Sequence, residues 1–252
     1  MTDRRQRQKD LRTQRRAEEQ KAATRREFRR RIVIALAVGI ALVGVLLLTS
    51  LETGGQGGLP LGYAIFREQA TACEAPTPPA WVPASFDAST DQGPLPVSAT
   101  IETSCGPIVI ALNPDAPESV NSFVFLARQG FYDGLVFHRV DPSFRIFAGD
   151  PEVNGTGGAG YAVDDELPPE GFVYVQGVVA MAASGGGASS QFFIAGPDAS
   201  VLTRSFSVLG TVTAGQETID AINALPLTQA VGGTAENRPT ETVYIESITF
   251  SD

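Results

Sequence analysis

The chain has 252 residues, 43% hydrophobic and 19% charged, enough for one domain with an apolar core and some additional segments. Its formal charge of −9 is unevenly divided: residues 1–31 hold 13 of the 19 Lys+Arg and only 5 of the 28 Asp+Glu. The acidic remainder has no lysine, and its six arginines (Arg67, Arg128, Arg139, Arg145, Arg204 and Arg238) are scattered singly, a pattern that excludes nucleic acid as a partner.

The chain opens with a basic head, residues 1–31. Residues 32–48 (IVIALAVGIALVGVLLL) are then apolar without exception, and Thr49, Ser50 and Leu51 extend the run to the roughly 20 residues that an α-helix needs to cross the bilayer. Nine Lys/Arg fall in the 20 residues before this run and Arg67 alone in the 20 after it. That bias predicts a single-pass protein of the cell membrane, with a cytoplasmic N-terminus, the helix 32–51 in the bilayer and the remainder outside the cytoplasm. A cleaved leader fits less well, because the apolar run is too long and no small-x-small site closes it before Glu52. Residues 52–96, glycine-rich and then proline-rich, are expected to form a linker and an extended arm.

From Val97 the texture changes to short β-type runs. VSATIET and PIVIAL flank a Ser-Cys-Gly-Pro turn and predict a hairpin. Asp115-x-x-Glu118 reads as a capping box for a helix whose apolar positions Val120, Phe123, Val124 and Ala127 share one face, with Gly130 placed to end it. Strands are expected at 134–140, 144–149, 176–182, 191–195, 207–212 and 242–250, and a second short helix at 215–224. Many short strands with two helices describe a mainly β domain, a barrel or sandwich with helices over its open ends.

Three patterns point to chemistry that their context does not support. Gly155-x-Gly157-x-x-Gly160 matches a dinucleotide fingerprint, but YAVDDELPPEG follows it and offers no helix N-terminus for a pyrophosphate. Ser184, Ser189 and Ser190 lack a nucleophile elbow, and the sole histidine, His138, leaves little for a triad or a transition metal. Asp164-Asp165-Glu166 has no EF-hand pattern and reads as an acidic turn rather than a calcium site. No cofactor and no metal is expected. Cys73 and Cys105, the two cysteines, are candidates for one disulfide in an outward-facing domain, with two separate thiols as the alternative.

The segment FYDGLVFHRVDPSFRIFAGDPEVNGTGGAGY, followed by QGVVAMAASGGGASSQFFIA and SVLGTVTAGQETIDAI, resembles the cyclophilin family over roughly residues 97–250. Phe137-His138-Arg139 with Pro142 and Phe144, Gly149-Asp150-Pro151, and Gln191-Phe192-Phe193 carry the likeness in order and spacing. The resemblance implies a closed eight-stranded antiparallel β-barrel capped by two α-helices. It also implies a peptidyl-prolyl cis-trans isomerase, here in a membrane-anchored bacterial form that assists folding of extracytoplasmic proteins.

By the same resemblance Arg139 is the catalytic guanidinium. Phe144, Phe193 and Leu202 form a proline pocket, Gln191 and the backbone at Ala182 and Ala183 align the peptide, and Phe147 and Phe206 complete the substrate surface. The expected partners are proline-containing polypeptides and, through the N-terminal helix, the lipid bilayer. Several positions depart from the family's usual residues. Phe147 stands for glutamine, Ala183 for asparagine, Arg145 for methionine, Val201 for tryptophan and Phe206 for histidine, so a reduced rate is expected. A peptide-binding or chaperone module on the same fold is the alternative function.

Overall fold

The computed structural model describes residues 61–79, 81, 84–183, 188–228 and 237–252. The basic head and the expected span 32–51 lie outside the described residues; among those described, no helix is long and apolar enough to cross a membrane.

The expected hairpin is strands β1 (Ser98–Thr103) and β2 (Gly106–Leu112), which pair antiparallel with Ser98 opposite Ala111 and Thr103 opposite Gly106. Alternation turns Ala99, Ile101, Ile108 and Ile110 inward, all fully buried. The other strands are β3 (Arg139–Asp141), β4 (Arg145–Ala148), β5 (Val178–Ala183), β6 (Ala188–Ala195), β7 (Val208–Ala214) and β8 (Ile245–Ser251). They form one antiparallel eight-stranded sheet in the order β3-β4-β6-β5-β7-β2-β1-β8. The closed barrel anticipated from the resemblance is here a curled sheet with β3 and β8 at its ends. What joins those ends is the stretch just before each strand: Val136 bridges Tyr244, the Gly134 and Phe137 amides donate to the Ile245 and Val243 carbonyls, and the Ile245 amide donates to the Leu135 carbonyl. Residues 134–137, expected as part of the third strand, serve this seam instead.

Besides α1, described below, there are two longer-range packing helices, α2 (Pro117–Arg128) and α3 (Gln216–Asn223). The sequence misplaces the cap of α2. Ala116, not Asp115, is the N-cap and makes no side-chain capping bond. The carboxylate that satisfies the first turn comes from Glu166, whose two oxygens accept the Glu118 and Ser119 amides at 3.0 and 2.7 Å. This gives the acidic turn 164–166 a structural role. At the other end Gly130 adopts φ +69°, and the Gly130 and Phe131 amides return to the Ala127 and Leu126 carbonyls, a Schellman arrangement.

Strand alternation separates two apolar clusters. Val140, Ile146, Ala148, Val179, Met181, Phe192, Ile194 and Leu209 face the interior, where α2 adds Val120, Phe123 and Val124. The intervening residues Phe147, Ala180, Ala182, Phe193, Ala195 and Val208 form a second cluster on the opposite face of the same strands.

Of the expected linker and arm, 52–96, residues 61–79, 81 and 84–96 are described. Residues Leu61–Glu68 form helix α1, and Phe66 within it is fully buried. Thr242 accounts for the docking: its hydroxyl donates to the Phe66 carbonyl at 2.6 Å, its amide donates to the Ala70 carbonyl and its carbonyl accepts the Ala72 amide. Trp81 is buried edge-on to Phe131, at 6.0 Å between ring centroids, and its indole N–H donates to the Phe131 carbonyl at 2.9 Å. Cys73 and Cys105 are joined in a disulfide that ties the arm to the β1–β2 turn. With a sequence separation of 32, the bond removes closure entropy from the unfolded chain worth about 3.7 kcal/mol. Replacing both cysteines by serine is therefore expected to lower the urea unfolding free energy by about that amount. Equal midpoints for the two proteins under non-reducing conditions would show that the bond adds no stability.

Candidate active site

The site rests on cross-strand register. Arg139 on β3 lies opposite Phe147 on β4, Phe147 lies opposite Phe193 on β6, and Phe193 lies opposite Ala180 on β5. Two residues along, Asp141 pairs with Arg145 and Arg145 with Ala195. With a side-chain period of two, Arg139, Asp141, Arg145, Phe147, Gln191 and Phe193 all point to the outer face.

On that face the aromatic rings carry the guanidinium groups. The Phe147 ring lies 5.2 Å from the Arg139 Cζ and 4.8 Å from the Arg145 Cζ. Arg145 is held by two further rings, Phe144 at 4.6 Å and Phe193 at 5.3 Å. Arg139 donates from Nε to Asp141 Oδ1 at 2.9 Å, while its side chain stays 46% exposed. Asp141 also accepts a bond of 2.7 Å from the Asn237 side chain. Phe147 cannot hydrogen-bond a guanidinium as glutamine would, but cation–π stacking and the Asp141 carboxylate together fix the Arg139 head.

A cavity of about 440 Å³ opens beside Arg139, lined by His138, Arg145, Phe147, Val153, Asn154, Gly155, Ala182, Gln191, Phe206 and Arg238. A larger hollow of about 650 Å³ runs along Leu112, Leu167, Phe172 and Val208; among the described residues its carboxylates are Asp115 and Glu166, and Glu166 is committed to α2. It holds none of the arginines.

One wall of the site is the loop after Gly149, and buried Asp150 organises it by accepting the Glu152, Gly155 and Gly157 amides. The glycines that mimic a dinucleotide motif are explained by packing. A Cβ at Gly157 would strike the Asp150 carboxylate, and one at Gly160 would strike Ser85 and the Phe86 carbonyl. Gln191 is 4% exposed, and its side-chain amide donates to the Gly157 carbonyl at 2.7 Å. It thus positions the loop as well as lining the cavity.

Of the residues expected at the site, Arg139, Phe147, Ala182, Gln191 and Phe206 surround this cavity. Phe193 lies fully buried behind it, in edge contact with Phe206 at 5.2 Å, and Phe144 and Leu202 pack against the same outer cluster. Those three do not line the open space. The rings expected to receive proline are faced instead by the Arg145 guanidinium. The backbone of Ala183 ends β5, opposite Ala188. Asp141 and Arg238 are additions that the sequence offered no local signal for, since Arg238 arrives from a segment about 100 positions away. Tyr174 is a further one: its hydroxyl donates to the Phe206 carbonyl at 2.7 Å and accepts the Phe206 amide at 3.0 Å, fixing that cavity wall.

His138 is 6% exposed and its Nδ1 has no hydrogen-bond partner. Burial lowers its pKa from 6.5 to about 4, against the opposing pull of Asp150 and with help from Arg139 and Arg238. The ring is neutral at physiological pH, as a structural group is expected to be. Below pH 6.5 the unfolded chain takes up this proton while the folded chain resists until about pH 4, so stability falls through that window. His138→Gln is expected to lose less unfolding free energy than the parent between about pH 7 and pH 4.5, measured by urea denaturation at each pH. Identical losses would mean that His138 does not carry this dependence.

Residues 98–250 match the family model described as cyclophilin type peptidyl-prolyl cis-trans isomerase/CLD. Peptidyl-prolyl cis-trans isomerase B of Streptomyces anulatus is 40% identical over 170 residues, which cover 60% of this chain and 94% of that protein. Peptidyl-prolyl cis-trans isomerase A of Mycobacterium tuberculosis is 39% identical over 189 residues, 67% of this chain and the whole of that one. A crystal structure of a Cryptosporidium parvum cyclophilin type peptidyl-prolyl cis-trans isomerase superposes with a TM-score of 0.55 at 27% identity, covering 62% of this chain and 97% of that one. With the family model spanning more than half of its length, the same curled antiparallel sheet and an arginine-centred cavity on the sheet's outer face, this chain belongs to the cyclophilin-type peptidyl-prolyl cis-trans isomerases.

Proposed function

We propose that the chain isomerises X-Pro bonds of proteins outside the cytoplasm, through electrostatic stabilisation of the twisted amide by Arg139. The observation that carries the mechanism is the fixed, half-exposed Arg139 guanidinium at the mouth of a cavity backed by aromatic rings. An X-Pro amide resists rotation with a barrier of roughly 18–20 kcal/mol because the nitrogen lone pair is shared with the carbonyl. No bond need break. As the amide twists, the lone pair localises on nitrogen and becomes a hydrogen-bond acceptor. Asp141 occupies the Arg139 Nε, so the terminal amino groups are the donors left to meet it. Ala182, Phe147 and Phe206 supply an apolar surface for the substrate, and Gln191 holds the wall opposite.

The location rests on the sequence. The apolar run 32–51 and the basic head before it favour a membrane anchor with the isomerase domain outside, and the Cys73–Cys105 disulfide suits an oxidising compartment. Substrates there would be secreted or envelope polypeptides.

Uncatalysed exchange takes tens to hundreds of seconds, so acceleration by the full chain is readily measured in a protease-coupled assay on proline peptides. Arg139→Ala is expected to cost about 10²- to 10³-fold in kcat/KM with the fold unchanged. Phe147→Gln removes two cation–π contacts and is expected to lower the rate by less than about tenfold rather than raise it. A parent protein that binds peptides without accelerating exchange would replace the enzyme by a peptide-binding module. Protease added to spheroplasts is expected to digest the domain and spare the head, and protection of the domain would overturn the proposed topology.

A further inference from the structure

Beyond residue 31 the chain has six arginines and no lysine, and three of the arginines, Arg139, Arg145 and Arg238, line one cavity beside the reacting centre. Among the described residues, no carboxylate lines it. In a body otherwise dominated by Asp and Glu, the fold has gathered half of the available cations at one place, although the sequence spaces them apart.

Among the described residues, the nearby carboxylates are bonded to groups other than the Arg145 guanidinium. Asp141 Oδ1 is occupied by Arg139 Nε and the Asn237 amide, and Asp150 is enclosed by three backbone amides. Glu152 bonds Asn154 and Thr156 at the rim. Arg145 is the least satisfied of the three arginines. Its guanidinium is held among Phe144, Phe147 and Phe193, and its Nε is buried with no hydrogen-bond partner. Burial and the neighbouring Arg139 both disfavour its charge, opposed by Asp141. A buried charged donor without an acceptor costs free energy that an incoming anion would recover.

We propose that Arg145 forms an anion subsite that makes the enzyme prefer proline peptides with an acidic residue next to the proline. Arg145 is a specificity-determining residue in this scheme, and a substrate carboxylate supplies the acceptor that its Nε lacks. Proline entry then coincides with partial withdrawal of the guanidinium from the rings it faces, drawn towards the substrate's charge. The inference rests on the isomerase reading of the same cavity.

The test uses the full chain and blocked tetrapeptides Ala-Xaa-Pro-Ala and Ala-Ala-Pro-Xaa, with Xaa as Glu, Gln or Lys. NMR titration gives Kd and exchange spectroscopy on the same samples gives the isomerisation rate. At low ionic strength at least one Glu peptide is expected to exceed its Lys counterpart by about tenfold in affinity and in kcat/KM, with Gln between them. At about 0.5 M salt that ratio should shrink towards unity. Arg145→Met should collapse the Glu/Lys ratio whatever it does to the absolute rate, and Arg145→Lys should retain most of it. Equal values for Glu, Gln and Lys, or a ratio that survives in Arg145→Met, would overturn the subsite. Peptides that bind with the Glu preference but exchange at the uncatalysed rate would sink the isomerase reading and leave the subsite standing.

Discussion

The ring of Phe147 stacks with two guanidinium groups, the Arg139 and Arg145 Cζ atoms lying 5.2 and 4.8 Å from its centroid, and the arrangement of the site follows from that contact. Its position is set by register, Arg139 across one ladder and Phe193 across the next, so a slip of one residue in β4 would turn Phe147 into the interior and Ile146 outward. The negative face of an aromatic ring attracts a cation without a directed bond, where a glutamine amide could serve only through directed hydrogen bonds. This is why the family's usual residue can be absent here while Arg139 is still held.

The rest of the site is held in place by buried polar groups that brace its walls. Asp150 spends its carboxylate on three amides of the 152–157 loop, Gln191 pins the same loop at the Gly157 carbonyl, and Tyr174 grips both backbone groups of Phe206. Each is a buried polar group whose bonds are satisfied inside the protein, so the cavity is shaped before a peptide arrives. The glycines at 157 and 160 belong to this design, because any side chain there would displace Asp150 or the arm at Ser85 and Phe86.

Much of the architecture was legible because it depends on local pattern. Short β-type runs marked β1, β2 and β4 to β8, and helical periodicity with Gly130 marked α2 and its end. Failures came where distant segments compete with local signals. Asp115-x-x-Glu118 resembled a capping box, but Glu166, 48 positions away, supplies the cap. The stretch 134–140 looked like one strand, yet its first half pairs across the seam with 243–245. The tether contained a helix whose reason for folding is Thr242, far along the chain. At the site, Arg139, Phe147, Gln191 and Phe206 could be named from motif spacing, whereas Arg238 and Tyr174 could not, since only the fold brings them there.

Asp141 shows how this concentration of positive charge can exist at all. It is 8% exposed, and its carboxylate accepts from Arg139 and Asn237 while favouring the charged form of Arg145. Two guanidinium groups on adjacent strands would repel strongly in a half-buried setting, and one shared carboxylate offsets only part of that. The aromatic rings absorb a further share through their quadrupoles without adding a formal negative charge. Asp141 is thus shared between two guanidinium groups, and in the proposed subsite the substrate carboxylate supplies the acceptor that Arg145 lacks. A carboxylate in the lining would have offset the repulsion permanently and removed the discrimination between acidic and basic peptides. Placing rings there instead leaves the electrostatic demand open for the substrate to meet.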